Sequence, residues 1–257
     1  MYSTETRVIL AGAGPGDPEL MTVGAIRALE QAEVILFDAL VNDQILAHAR
    51  PECLLIDVGK RKGNHRFSQD EINQMILFYS QRFSRVLRLK GGDPYVFGRG
   101  SEEVDYLRRH GINARVIPGI SSAIAGPAAA GIPVTRRGVS ESFWVITGTT
   151  SSGKLSGDLE LAARSSATVV VLMGLSKLKE IMTLFRGHRS VNEPAAVILN
   201  ATMPDQHIFA GSITSLEHQM QGMEPSAPGI IVIGKVAASA CLTQIPEEEA
   251  VKMKLAV

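Results

Sequence analysis

The sequence predicts an α/β protein of two α/β domains, the first built on a mainly parallel sheet and the second on a mixed sheet. Short β-rich runs alternate with amphipathic stretches through the first half, and glycine-rich turns follow two of those runs. A stretch rich in Gly, Pro and Ala then changes the texture in mid-chain. With 257 residues, 45% hydrophobic and 20% charged, there is chain enough for one large domain or two modest ones with a substantial core.

The first-half strands are Val8-Ile9-Leu10-Ala11, Val34-Ile35-Leu36-Phe37, Leu54-Leu55-Ile56, Val86-Leu87-Arg88-Leu89 and Ala114-Arg115-Val116-Ile117. Between the first two, Ala25, Ile26, Leu29 and Ala32 share one helical face. Ser68-Gln69-Asp70-Glu71 reads as a capping box ahead of Ile72, Met75, Ile76 and Tyr79, which predicts another helix. Pro118, Pro127 and Pro133 stand among small residues, so we set a first domain at 1–118, a junction at 119–138, a second domain at 139–243 and a tail at 244–257. Strands resume at 143–147, 168–173, 195–200, 207–210 and 230–233. The link before His207 is too short for a helical crossover, so that strand should pair antiparallel with its predecessor. Neither an internal repeat nor a low-complexity tract is present.

Lysine plus arginine, at 26, balances aspartate plus glutamate, at 26, so no global basic field points to nucleic acid. Cys53 and Cys241 are far apart and lack metal-ligand spacing; as reduced thiols they fit a cytoplasmic protein without a metal. The polar start and the lack of an apolar run near the roughly 20 residues that span a bilayer predict neither a secretion signal nor a membrane anchor.

Gly12-Ala13-Gly14-Pro15-Gly16-Asp17-Pro18 follows the first strand, where glycine lets backbone approach a ligand. It is not a dinucleotide fingerprint: Asp17 stands where that pattern needs glycine, and two prolines stiffen what should be a helix start. By itself this motif is equally compatible with a tight turn that holds no ligand. The run from Lys90-Gly91-Gly92-Asp93 through Gly98-Arg99-Gly100 follows the fourth strand, at the sheet edge where open α/β folds bind ligands. There paired glycines expose backbone polar groups, Asp93 can face a cationic sulfonium or ammonium, and aromatic residues can cover an adenine. Two such turns on one sheet point to a small-molecule site.

Five segments in order then resemble the tetrapyrrole methylase family: residues 12–17, Phe37-Asp38-Ala39-Leu40-Val41, Gly59-Lys60-Arg61, residues 88–100 and Pro118-Gly119-Ile120-Ser121. Later matches are Gly131-Ile132-Pro133-Val134-Thr135 and Met173-Gly174-Leu175, so the resemblance spans roughly residues 8–234. It implies two domains with S-adenosylmethionine in the cleft between them, no metal, and a homodimer. It also implies C-methylation of uroporphyrinogen III to precorrin-2 in two successive transfers, for siroheme, cobalamin or haem d1 biosynthesis, with S-adenosylhomocysteine as by-product. Carried over by position, the cofactor contacts are Pro15, Gly91, Gly92, Asp93, Val96, Ser121, Ser122, Met173, Ala201 and Gly229. The chain departs from the family's common pattern at Ser121-Ser122 in place of Thr-Ala, at Ala201 where glycine is frequent, and at Thr149-Thr150 where histidine is usual.

Methylating a pyrrole carbon requires alignment, exclusion of water and a base for the departing proton, while the acetate and propionate arms of the substrate call for cations. The resemblance marks Asp38 as candidate base and Lys60 as candidate acid, with Arg99 as a rival for proton handling or as a substrate anchor. Anchoring suits a guanidinium better. Which residue takes the proton stays open from sequence. Asp38 also reads as a cap for the following helix, Met173 as a core residue closing an apolar strand, and Lys60 and Arg99 as solvated charges. Lys60-Arg61-Lys62 with His65 and Arg66, and separately Arg136-Arg137, form local basic loops suited to carboxylates. The rival readings are a later corrin-ring methylase, a relative acting on ribosomal RNA or on a modified translation factor, a nonenzymatic tetrapyrrole carrier and, least, a nicotinamide-dependent dehydrogenase.

Overall fold

The computed structural model describes residues 7–59, 67–221 and 227–240. The chain forms two compact units, Met1–Ser121 and Ser122–Val257.

In the first unit, β1 (Val8–Gly12), β2 (Val34–Phe37), β3 (Leu54–Asp57), β4 (Val86–Lys90) and β5 (Ala114–Ile117) form a sheet of order β3-β2-β4-β1-β5. Every pairing in it is parallel. The crossovers carry α1 (Val23–Gln31), α2 (Asp43–Leu46), α3 (Gln69–Ser80) and α4 (Gly100–Arg109). β1 and β2 are near-continuous apolar runs because both faces are covered, while β4, equally buried, carries Arg88 and Lys90 among its apolar residues. Ala11, Ile35, Phe37, Leu87 and Leu89 pack with Ala25, Leu29 and Ile45 on one face. Val8, Leu10, Val34, Leu36 and Val86 pack with Ile72, Ile76, Val104 and Leu107 on the other. The crossover order places all five carboxyl ends of the strands on one edge, and the glycine turns lie there.

Helix α3 begins as its sequence predicts. Ser68 Oγ accepts from Glu71 N (3.2 Å), and a Glu71 carboxylate oxygen accepts from Ser68 N (2.6 Å), closing the capping box. Ser68→Ala is expected to cost about 1 kcal/mol of stability, the usual worth of a side-chain cap. A lower urea midpoint at unchanged slope is the readout, and an unmoved midpoint would refute it.

The second unit opens with α5 (Ser122–Ala129), continues through β6 (Phe143–Thr147), α6 (Asp158–Arg164), β7 (Thr168–Leu172), α7 (Leu178–Arg186), β8 (Pro194–Leu199), β9 (His207–Ser212) and α8 (Ile213–Gln219), and closes on β10 (Gly229–Ile233). Its sheet order is β6-β7-β10-β8-β9. β6 and β7 are parallel, β10 runs antiparallel to both β7 and β8, and β8 pairs antiparallel with β9. The mixed sheet and the antiparallel strand at His207 agree with the sequence reading. α5 does not follow from texture: a segment read as a Pro/Gly/Ala-rich junction is helical, with Pro127 inside it. Ala123 packs against Ile198 and Ile230, and Gly126 is pressed so closely that an added Cβ would lie 2.2 Å from Ile230 Cδ1. Tertiary burial of a small-residue face outweighs the single backbone donor that proline lacks.

Candidate active site

The β1, β4 and β5 turns of the first unit lock together through glycine. A Cβ on Gly12 would stand 2.4 Å from Gly92 O and 2.5 Å from Gly119 Cα, and one on Gly119 only 2.2 Å from Gly92 O. The junction is stitched by backbone bonds: Gly92 N donates to Gly14 O (2.7 Å), Gly14 N to Gly92 O (3.2 Å) and Ala13 N to Lys90 O (2.7 Å). Gly92 has φ +66°, a conformation that costs glycine little. Asp93 fastens the remaining loop, since one carboxylate oxygen accepts from Tyr95 N (2.8 Å) and the other from Gly119 N (3.0 Å). Asp17, the residue that breaks the dinucleotide pattern, accepts from Glu19 N (2.9 Å) and caps the short 3-10 turn Pro18–Leu20. The dehydrogenase reading therefore loses its helix start.

Asp38, just past β2, does not cap α2, whose N-cap is Asn42. It belongs to a charge cluster with Arg88 and Lys90 of β4 and Glu103 of α4. Arg88 on β4, 1% exposed, donates to Asp38 Oδ1 at 2.5 Å and to Glu103 Oε1 of α4 at 3.1 Å. Lys90 Nζ lies 3.0 Å from Glu103 Oε1 and 3.6 Å from Asp38 Oδ2. Burial alone would lower the Arg88 pKa, but the charges and hydrogen bonds of Asp38 and Glu103 outweigh it and hold the guanidinium above its ordinary value. Asp38 keeps 29% exposure, so one side of its carboxylate faces outward.

Arg99 is the left-handed N-cap residue of α4 (φ +58°) and is half exposed. Its guanidinium grips Glu102 through two bonds of 2.9 and 2.7 Å, and that hydrogen bonding is the main cause of its raised pKa. Beside it, Tyr95, Val96 and Phe97 present apolar surface to solvent. Lys60 and the basic loop with Arg61, Lys62, His65 and Arg66 lie outside the described residues, as does Cys241. Arg136 and Arg137 are exposed in a turn closed between Arg136 and Ser140.

In the second unit the parallel course of β6, β7 and β8, with β10 reversed between β7 and β8, brings Thr147, Met173, Asn200 and Gly229 to one sheet edge. Met173 is 52% exposed with φ +55°, so it is not a core residue. Gly148 crosses Gly174 so closely that a Cβ on it would lie 2.3 Å from Gly174 Cα. Thr149, at the usual histidine position, donates through Oγ1 to Met173 O (2.9 Å) and holds the β7 turn. Ala201 is nearly buried in the core, while Gly229 leaves room for Leu175 and Leu199, whose methyls a Cβ would approach to 2.4 and 2.8 Å. Pro15, Gly91, Gly92 and Ser121 are half-buried at the edge of the first unit, and Ser122 is half-buried at the start of α5.

Sequence reasoning missed a backbone signal. Every non-glycine residue with positive φ among the described residues, namely Phe97, Arg99, Met173, Asn200 and Thr202, sits in these edge turns. Such conformations cost about 1–3 kcal/mol each and persist where surrounding structure imposes them, commonly at ligand sites. It also missed Glu103, whose only sequence mark was a position one turn into a helix. A cavity of about 530 Å³ lined by Arg7, Ile9, Arg27, Leu87 and Arg115 lies at the opposite edge of the first sheet and holds none of the motif residues.

Residues 7–217 match the family model of tetrapyrrole (corrin/porphyrin) methylases. The chain is 42% identical over 232 residues to the uroporphyrinogen-III C-methyltransferase of Methanocaldococcus jannaschii, covering 90% of this chain and 96% of that protein. It is also 42% identical over 230 residues to the siroheme synthase of Saccharophagus degradans, but spans only 50% of that longer protein. Among solved structures, a uroporphyrin-III C-methyl transferase from Thermus thermophilus complexed with S-adenyl homocysteine superposes with a TM-score of 0.78 at 38% identity, covering 90% of this chain and 99% of that one. With the family model matched over residues 7–217 and 42% identity to a relative across nine-tenths of its length, the chain belongs to the tetrapyrrole methylase family.

Proposed function

We propose that this chain transfers methyl groups from S-adenosylmethionine to pyrrole carbons of uroporphyrinogen III, twice in succession, giving precorrin-2. The product would feed siroheme, cobalamin or haem d1 synthesis. The observation that most supports this reading is the Asp38 carboxylate, held between two cations at the carboxyl end of β2, on the sheet edge that also carries the locked glycine turns.

Pro15, Gly91, Gly92, Asp93, Val96 and Ser121 of the first unit, with Ser122, Met173, Ala201 and Gly229 of the second, are the proposed cofactor contacts. They suit the group chemically: glycine backbone without side chains, a carboxylate for a cationic centre, and exposed apolar side chains at Val96 and Met173. When bound, S-adenosylmethionine supplies a methyl group made electrophilic by its sulfonium. The chain's own residues must hold the reactants in line, exclude water and remove a proton. Asp38 has an exposed side and a fixed orientation, as a general base requires. Lys60 is the proposed acid, and Arg99 the anchor for a substrate carboxylate, exchanging Glu102 for an acetate or propionate arm.

Incubation with uroporphyrinogen III and labelled S-adenosylmethionine is expected to give a product carrying two added methyl groups by mass. No label on the porphyrinogen, with transfer to a later corrinoid or to RNA instead, would sink the substrate assignment. Arg99→Gln is expected to lower kcat/KM for the porphyrinogen about 10- to 100-fold, the worth of one hydrogen bond to a charged group. Calorimetric affinity for S-adenosylhomocysteine should be unchanged; equal loss of both would remove Arg99 from the substrate side. We read the working form as a cytoplasmic homodimer, which sedimentation of the intact chain tests.

A further inference from the structure

We propose that Glu103 is a positioning residue for Asp38: its buried carboxylate fixes Arg88 and Lys90 and balances their charge, so that Asp38 can accept a proton. The proposal rests on the reading of Asp38 as the base. Glu103 is fully buried, and its Oε1 alone receives Arg88 Nε (3.1 Å), Lys90 Nζ (3.0 Å) and Gln69 Nε2 (3.1 Å). Its Oε2, also buried, finds no hydrogen-bond partner among the described residues. Leaving a buried carboxylate oxygen unsatisfied is costly, and an arrangement serving packing alone would be served as well by an apolar residue.

Charge gives the reason. Asp38 and Glu103 carry two negative charges, and Arg88 and Lys90 two positive, so the cluster is neutral. The methylated ring carbon already bears a side arm and has no hydrogen, so the cationic macrocycle sheds its proton from a pyrrole N–H or an adjoining bridge methylene. That bond breaks, its electron pair neutralises the cation, an O–H bond forms on Asp38, and the cluster becomes singly positive. Without Glu103 it would begin at one positive charge and end at two, in surroundings that screen poorly. Asp38 would then be a weak base however well it was aimed. The outer groups on the same elements, Asp70 of α3 with Arg99 and Glu102 of α4, add two negative charges and one positive. Arg99 and Glu102 are largely consumed by their mutual pair.

The test is a kcat–pH profile of the full chain for Glu103→Gln and Lys90→Gln, each alone and with Asp38→Asn. Glu103→Gln is expected to lower kcat roughly 10- to 100-fold, a share of what a general base contributes, and to move the acid limb to lower pH. Lys90→Gln should move that limb the opposite way, which a merely structural role would not do. Affinity for S-adenosylhomocysteine should stay unchanged in both. On the Asp38→Asn background the Glu103→Gln loss should largely vanish, because residues acting through one group are not additive. Persistence of the full loss there, or an unmoved limb, overturns the proposal. Should Glu103→Gln fail to fold, Glu103→Asp, which withdraws the same charge by one methylene, is read on the same profile: a smaller downward shift supports the proposal and no shift overturns it. If Asp38→Asn itself turns over normally, the base assignment falls; if it is inactive while Glu103→Gln is silent, only the present inference falls.

Discussion

Asp38→Asn is expected to reduce kcat by about 10²- to 10⁴-fold, the usual contribution of a positioned general base, while affinity for S-adenosylhomocysteine holds within about twofold. The asparagine keeps an oxygen for Arg88 but gives up the charge and the proton-accepting capacity. It also leaves Arg88 and Lys90 in excess over Glu103. Removing one partner of a wholly buried ion pair costs about 3–5 kcal/mol. Water reaches Asp38 on its 29% exposed side, so the stability loss should fall below that range. Kinetics on the folded fraction, gauged by thermal unfolding, separates the two effects. A variant that retains normal turnover would assign the proton to another residue.

Gly119→Ala is expected to abolish calorimetric binding of S-adenosylhomocysteine and to lower stability by at least ~1–3 kcal/mol, the scale of overpacking in a close-packed interior. The new methyl would stand 2.2 Å from Gly92 O and 2.7 Å from Gly12 Cα. Both are backbone atoms, so no rotamer change relieves the clash, and three turns must move apart. The bond from Gly119 N to Asp93 would be lost with them. Gly157→Ala is the control, because nothing lies within 4 Å of a Cβ there. Unchanged ligand affinity in Gly119→Ala would dissociate the glycine junction from the cofactor.

What sequence reveals here depends on the range of the interaction that decides it. The central strands are legible because strands buried on both faces need near-continuous apolar runs such as Thr168-Val169-Val170-Val171-Leu172, and α3 because its capping box is four residues long. The paired glycines of the motifs are legible as close approaches, though not whom they approach: Gly12 meets Gly92 and Gly119 across most of the first unit. α5 was hidden because proline and glycine weigh against a helix locally, and only Ile230, some hundred residues on, rewards burying that small-residue face. Asp38 could be singled out by its motif, but its attachment to Arg88, fifty residues later, could not. Glu103 was invisible because a glutamate near a helix start is ordinary on a surface, and nothing local says that this one is sealed inside. Likewise, the left-handed backbone at Phe97 and Thr202 is imposed by the turns around them, against the preference of those residue types.

The strand order of the second unit bears on how the protein emerges from the ribosome. β10 comes last in sequence among the described strands of its sheet, yet it lies in the centre, hydrogen-bonded on one side to β7 and on the other to β8. Until Gly229 and its successors leave the exit tunnel, β6-β7 and β8-β9 are two separate pairs, each with one unpaired apolar edge on the side that β10 will fill. The nascent chain therefore carries its stickiest surface late in translation, when long-range pairing is slowest to form. A pause or truncation just before β10 should leave a species that chaperones hold and proteases find.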